Sequence, residues 1–157
     1  MHFFNKNTVG KPENWLIEAG AVIGFDFSGY VHETTNELID HSIKRHGNPG
    51  IHGRAAITGP DFDQIPGIIK TPTYAIIGAL RKGNLINAYA KIMGTATYLY
   101  FEEVLQGRKN KSFRGKTLYK VNKLLTLSGF IKIVTMNRKT DISKAEKYIA
   151  AGGHPGG

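Results

Sequence analysis

The sequence predicts an α+β domain, and three observations carry that prediction. Helix signals are gathered before residue 72, where capping residues, glycines and prolines punctuate short apolar faces. From Tyr74 onward, apolar and polar residues alternate in runs joined by short turns, the pattern of an antiparallel meander. The 157 residues contain no internal repeat and no linker long enough to divide them, so residues 1–157 read as one domain with one core. Helices first and strands afterwards give an α+β chain whose sheet holds four to five antiparallel strands.

In order along the chain, residues 1–29 form a lead-in segment carrying Pro12 and Trp15, and "GAVIGFDFSGY" (20–30) alternates in the manner of a short strand closed by Gly29. A helix follows. Thr34 with Glu37 three residues on is a capping-box pattern, Leu38, Ile39 and Ile43 supply the apolar face, and Gly47 ahead of Pro49 marks the stop. "IDHSIKRHGN" (39–48) is therefore the last two turns of that helix and its cap. "NPGIHGRAAITGP" reads as a loop. A second short helix starts after Thr58 with Pro60 and Asp61 in its first turn, breaks or restarts at Pro66, and is over by Pro72.

The meander is then "YAIIGAL", the turn "RKGN", "LINAYAKIM", the turn residues Gly94 and Thr95, and "ATYLYFEEVL". "QGRKNKSFRGK" is polar and glycine-bearing and reads as a loop. "TLYKVNKLLTL" and "GFIKIVTM" read as two further strands, the first with helical spacing as well. Asp141 caps a last short helix, "ISKAEKYIAA", before a flexible tail, residues 152–157.

The formal net charge of +9 and the pI near 9.8 point to an anionic partner: nucleic acid, an acidic membrane surface or an acidic protein. There is no cysteine, which excludes disulfides, thiolate metal sites and cysteine nucleophiles. No apolar run approaches the length of a membrane span, and the first residues lack the apolar core of a signal peptide, so the expectation is a soluble domain with no membrane partner, its export encoded elsewhere.

Seven of the sixteen residues from Arg108 to Lys123 are Lys or Arg and none is acidic. Arg108, Lys109, Lys111, Arg114 and Lys120 with the interleaved Phe113 are candidates for phosphate contact and base stacking. The plainer alternative is a solvated, solubilising face. On the helix, His41 and Arg45 lie four apart and share a face, and His46 can turn back towards them if Gly47 ends the helix. Two histidines near neutral pH suit a general base and a general acid, and a nearby cation suits a phosphate; the alternative is a histidine at the helix C-terminus, favoured by the dipole. Lys91 alternates onto the same strand face as Leu85, Asn87 and Tyr89, either a substrate-facing surface or simply the solvent face. Glu102 and Glu103 point to opposite sides, and Thr117 and Tyr119 share a side if their segment is a strand.

Other chemistry is absent from the pattern. There is no phosphate-binding glycine loop followed by Lys and Ser or Thr, and no HExxH. Carboxylates are too scattered for a two-metal nuclease, and His32, His41, His46 and His52 match no standard zinc spacing. No metal and no cofactor are expected.

The stretches "IDHSIKRHGN", "HGRAAITGPDFDQIPGIIKTP" and "AYAKIMGTATYLYFEEVLQGRKNKSFRGKTLYK" resemble, in order and spacing, the phage-associated branch of the Barnase–EndoU–colicin–RelE-like (BECR) ribonucleases, whose related domains arm polymorphic bacterial toxins and contact-dependent growth inhibition effectors. The likeness covers residues 30–121. It implies N-terminal helices packed on a twisted antiparallel sheet and metal-independent cleavage of RNA, tRNA or another structured RNA, through attack of the ribose 2′-hydroxyl to leave a 2′,3′-cyclic phosphate. Carried over by motif, it implies His41 and His46 on the helix, Arg54 after the loop, Lys91 on a strand, Glu102 or Glu103, and Lys116, Thr117 and Tyr119. Where a more polar approach to "GQI" is the family pattern, this chain has "GRAAI", which bears on Arg54. The resemblance further implies an antibacterial toxin domain at the C-terminal end of an exported effector, acting in the cytoplasm of a target bacterium and restrained by an acidic cognate immunity protein. The rivals are a non-catalytic RNA- or DNA-binding module and a nuclease carried in a phage particle.

Overall fold

A computed structural model describes residues 6–46, 54–136 and 140–150; for Lys6, Asn7, Arg45, His46, Arg54 and Ala55 it describes the backbone alone. The expected stop at Gly47 and Pro49, His52 and the tail at 152–157 lie outside the described residues.

The described residues form an α+β fold built on a mixed sheet of nine strands. Its elements are β1 (Lys6–Gly10), α1 (Asn14–Val22), β2 (Val31–Thr35), α2 (Asn36–His46), β3 (Arg54–Ala55), a 3-10 turn (Gly59–Gln64), α3 (Ile65–Lys70), β4 (Tyr74–Arg81), β5 (Asn84–Met93), β6 (Ala96–Gly107), β7 (Asn110–Val121), α4 (Leu127–Met136), β8 (Thr140–Asp141) and β9 (Glu146–Ile149). The strand order is β1-β2-β7-β6-β5-β4-β8, with β3 also on β7 and β9 also on β4. This corrects the expected four to five antiparallel strands: the sheet is larger, and β2 runs parallel to β7.

The physical reasons differ from segment to segment. The 4–5–6 meander forms as its alternation and its two tight turns dictate. Residues 20–30 are not a strand; α1 occupies their start, and Phe27 folds under Gly20, where a Cβ would collide with the Phe27 ring. The polar run 106–116 is not a loop, because from Asn110 it pairs along β6 for the whole of β7. "GFIKIVTM" is helix, its apolar side chains at Phe130 and Val134 buried a turn apart. No final helix forms: Asp141 lies in β8 and accepts the Ser143 amide at 2.9 Å, and residues 146–149 instead pair with the edge of β4. Asp61 closes a capping box with Thr58, and the turn becomes α3 at Ile65, immediately before Pro66. Thr35 rather than Thr34 caps α2, its Oγ1 accepting from Leu38 N at 3.2 Å.

Register sorts the central side chains into two sheet faces. The first carries Asn87, Tyr89 and Lys91 of β5, Tyr98, Tyr100 and Glu102 of β6, Phe113, Gly115, Leu118 and Lys120 of β7, and His32 of β2. Trp15 of α1 meets Tyr89 edge-on, Leu38 of α2 reaches Tyr100 above Gly115, and Asp61 bonds Tyr98, so α1, α2 and the 3-10 turn all lie over this face. The second face is apolar at its β4 end, where Tyr74 stacks with Phe130 of α4. Towards β6, β7 and β2 it turns polar.

Candidate active site

Glu103 sits on that polar part of the second face. The β6–β7 register shifts between Phe101 and Glu102, so Gly115 opposes Glu102 and Thr117 opposes Phe101, leaving Lys116 as the extra residue of a β-bulge. The bulge is where the two strands re-aim their side chains. Lys116 reaches Glu103 at 3.7 Å, and one register step away Arg114 donates its Nε–H to Glu33 at 3.1 Å. Glu33, Arg114 and Glu103 thus form a row across β2, β7 and β6, with Lys116 and Thr117 in the next row. Phe101 and Tyr119 stack beside Thr117, ring centroids 6.2 Å apart.

The two adjacent glutamates have opposite environments. Glu102 is fully buried on the first face, and its carboxylate accepts from Asn87 Nδ2 at 3.1 Å and from the Tyr89 hydroxyl, while His32 Nδ1 lies 2.8 Å from its other oxygen. With the carboxylate as acceptor, His32 carries its proton on Nδ1. Desolvation, then the Glu102 charge, pushes the Tyr89 hydroxyl well above its ordinary value, so it stays a donor. Every acceptor position of Glu102 faces protein. Glu103 is partly exposed and, among the described residues, accepts no hydrogen bond. A carboxylate with open lone pairs beside two cations can take a proton from an incoming hydroxyl while the cations hold the neighbouring anion.

Of the residues singled out from sequence, Glu103, Lys116, Thr117, Arg114 and the mostly buried Tyr119 come together here. His41 is an exposed residue of α2, and its neighbour Ser42 is sealed against β7, where its Oγ accepts from Leu118 N at 3.0 Å; the helix therefore borders the strand that bears Lys116 and Thr117. Arg45 and His46 end the same helix, and Arg54 pairs by its backbone with Val121, but their side chains lie outside the description. Arg108, Lys109 and Lys111 are exposed at and beside the β6–β7 hairpin tip.

Three expected placements change. Lys91 lies on the first face, not with Thr117 and Tyr119; its Nζ donates to Thr71 O at 2.7 Å and Thr71 Oγ1 at 2.6 Å, which caps the C-terminal end of α3. Lys91 therefore lines no common surface with Thr117 and Tyr119 among the described residues. Phe113 is fully buried against Phe27, Tyr30 and His32 and offers no ring to a base. Lys120 also points to the first face, pairing with Asp61 at 3.1 Å over the Tyr98 ring. Sequence reading missed Glu33 and the His32–Glu102 pair, because each meets its partner only through the crossover that brings β2 beside β7. A cleft of about 650 Å³ lies elsewhere, between the ends of α1, α3 and β9 around Trp15, Lys70 and Tyr148, and none of the candidate catalytic or RNA-binding residues lines it. Among the described residues no three His, Asp or Glu side chains are grouped as a metal site would need, and no helix is long and apolar enough to cross a membrane.

Residues 10–127 match the family described as phage-Barnase-EndoU-ColicinE5/D-RelE like nuclease3 (PBECR3). The chain belongs to that family. Its match spans everything from the end of β1 to the start of α4 and so includes the Glu103 surface of this nuclease domain and the histidines of β2 and α2. No curated protein matches the chain, and no solved structure does. Membership makes the chain a nuclease of the BECR type, with nucleic acid as its substrate.

Proposed function

We propose that the domain is an endoribonuclease that works without a metal, and that the polar surface around the β6–β7 bulge is its active site. The observation that carries this is Glu103: a half-buried carboxylate with no hydrogen bond among the described residues, held between Lys116 and Arg114 on the second sheet face. In this reading Glu103 takes the proton of the ribose 2′-hydroxyl, and the 2′-oxygen attacks the adjacent phosphorus. Arg114 and Lys116 stabilise the charge that builds on the non-bridging oxygens, and Thr117 supplies a hydroxyl beside them. The P–O5′ bond breaks as the 5′-oxygen receives a proton, for which His41 at the β7 border is the assigned donor, His46 being its alternative on the same helix. The products are a 2′,3′-cyclic phosphate and a 5′-hydroxyl. The requirement for a 2′-hydroxyl makes RNA, not DNA, the substrate.

The exposed Arg108, Lys109 and Lys111 would contact the phosphate backbone beyond the scissile bond, which suits a structured RNA such as tRNA. The net charge of +9 and the family resemblance support a toxin domain of an exported effector, acting in a target cell's cytoplasm and held by an acidic cognate immunity protein. A pull-down that finds no tight acidic partner encoded beside it counts against that context alone.

The test of the chemistry is an end-labelled RNA oligonucleotide incubated with the domain in EDTA. Cleavage with a 2′,3′-cyclic end, lost when the 2′-hydroxyl at the cut is replaced by hydrogen, is the expected result. A shifted but uncut RNA would replace the nuclease reading with that of a binding module.

A further inference from the structure

Arg114 has a carboxylate opposite it on both sides. The parallel β2–β7 register sets Glu33 against it, and the antiparallel β6–β7 register sets Glu103 against it. The guanidinium could pair with either, and it donates its Nε–H to Glu33 at 3.1 Å. Glu33 is only 5 % exposed, so its charge has lost water and gains most from a fixed cation. Glu103 keeps its lone pairs, with Lys116 at 3.7 Å, beyond hydrogen-bond distance.

We propose that Glu33 is a positioning residue whose task is to hold Arg114 off Glu103, so that the carboxylate remains free as a base while the guanidinium still faces the phosphate. The proposal rests on reading Glu103 as the base. A guanidinium freed from Glu33 has one other carboxylate in its row and would fork onto it, since two parallel N–H bonds to a carboxylate are among the strongest side-chain pairings. That pairing would consume the lone pairs that the 2′-hydroxyl must reach, and it would make the carboxylate a weaker base. The groups facing Glu103 are Arg114 and Lys116 from β7, Glu33 one strand further on β2, Ile86 from β5, which brings no charge, and, across the bound phosphate of the proposed reading, His41 of α2, the assigned proton donor. Lys116 is common to both states, so losing Glu33 acts through the re-pairing of Arg114 and through the loss of Glu33's own charge, and the double variant separates the two.

The experiment follows Glu103 by NMR titration of the protein carrying ¹³C-labelled glutamate side chains, its signal identified by its loss in Glu103→Gln, alongside pH–rate profiles on a mixed-sequence RNA oligonucleotide. In Glu33→Ala the Glu103 midpoint and the acid limb of the rate profile should both move down by about one pH unit, with kcat falling about tenfold or more and KM changing less. Adding Arg114→Ala to Glu33→Ala should return the midpoint to its original position or above without restoring the rate. An unmoved midpoint in folded Glu33→Ala overturns the proposal. If that variant does not fold, Glu33→Gln, whose amide oxygen still accepts one N–H but carries no charge, should shift the midpoint in the same direction, and no shift overturns the proposal equally. Should the wild-type domain leave RNA uncut, the ribonuclease reading fails, while the titration still decides what Glu33 does to Glu103.

Discussion

Glu102 and Glu103 are neighbours on β6 and face opposite sides of the sheet, the first enclosed by His32, Asn87 and Tyr89, the second open beside Lys116. Strand alternation alone separates an enclosed structural carboxylate from the one proposed as the base. Glu103→Gln keeps the shape and removes the base, so cleavage should fall about a hundred- to ten-thousandfold with the melting temperature unchanged. Glu102→Ala leaves His32, Asn87 and Tyr89 facing an emptied buried site and should cost about 3–5 kcal/mol of stability. Thermal melts and cleavage rates on both variants check the pair. The reverse pattern would move the chemistry to the buried face.

The parts of the fold written locally in the sequence were legible there: the α2 periodicity, the helical start after Thr58 and the meander each depend on residues close in the chain. What was not legible depends on distant partners. The run 110–116 looks like a solvated loop because Lys111, Arg114 and Lys116 all reach solvent, yet Ser112, Phe113 and Gly115 between them are buried against β2, β6 and α2. "ISKAEKYIAA" has helix-forming residues, but the unpaired edge of β4 captures residues 146–149 as a strand. For the candidate site, Glu103, Lys116 and Thr117 could be named from motif. Their separation from Lys91 could not, since it follows from the β5–β6 register that sets Lys91 opposite Tyr98, away from Glu103, while Lys116 joins Glu103 only through the one-residue bulge.

Lys91→Ala provides a direct test of that grouping. The ammonium binds the last carbonyl of the α3 end and the Thr71 hydroxyl, so its loss should cost about 0.5–2 kcal/mol, measured by denaturant unfolding. Cleavage by the folded fraction should stay within about threefold of wild type, since 1 kcal/mol of ground-state packing elsewhere does not enter the barrier. A collapse of kcat with normal stability would return Lys91 to the site.

Asp61 ties the 3-10 turn to the sheet and gives the domain a pH signature. Burial alone would raise its pKa, but hydrogen bonds from Tyr98, Thr58 and Lys120 outweigh that and hold it below the ordinary carboxylate value. A folded-state value below the unfolded one means that stability is present above the unfolded pKa, near 4, and is lost as pH falls through the lower folded value. Tyr98 works in the opposite sense: burial first, then the Asp61 bond and charge, push it up to about 12. Its contribution is complete below pH ~10 and is lost as pH rises towards the folded value. Asp61→Asn should therefore flatten the acid side of the stability curve, and Tyr98→Phe the alkaline side. Melting temperatures from pH 3 to pH 12 read both, and unchanged slopes in either variant would remove the link.

Gly115 and Tyr100 test whether the bulge beneath the site is built by packing. A Cβ at Gly115 would run into the Tyr100 hydroxyl and come within 2.9 Å of Leu38 Cδ2, so only glycine lets β7 lie this close to the Tyr100 ring under α2. Among the described residues the buried Tyr100 hydroxyl has no hydrogen-bond partner, and desolvation pushes its pKa well above the ordinary value, so it is an uncharged group lacking compensation for lost water. Tyr100→Phe should accordingly be neutral or stabilising, where loss of a bonded hydroxyl would cost about 1 kcal/mol. Gly115→Ala should cost about 1–3 kcal/mol by overpacking and should displace Lys116, lowering cleavage along with stability. In the Tyr100→Phe background the cost should shrink, because the nearest clashing atom is gone, though the ring carbon that bore it remains 3.0 Å away and keeps the relief partial. A double-mutant cycle by denaturant unfolding measures that coupling, expected between 0.5 and about 2 kcal/mol and favourable. Strict additivity would mean that the bulge yields elsewhere and that the Tyr100 contact does not hold Lys116 in register.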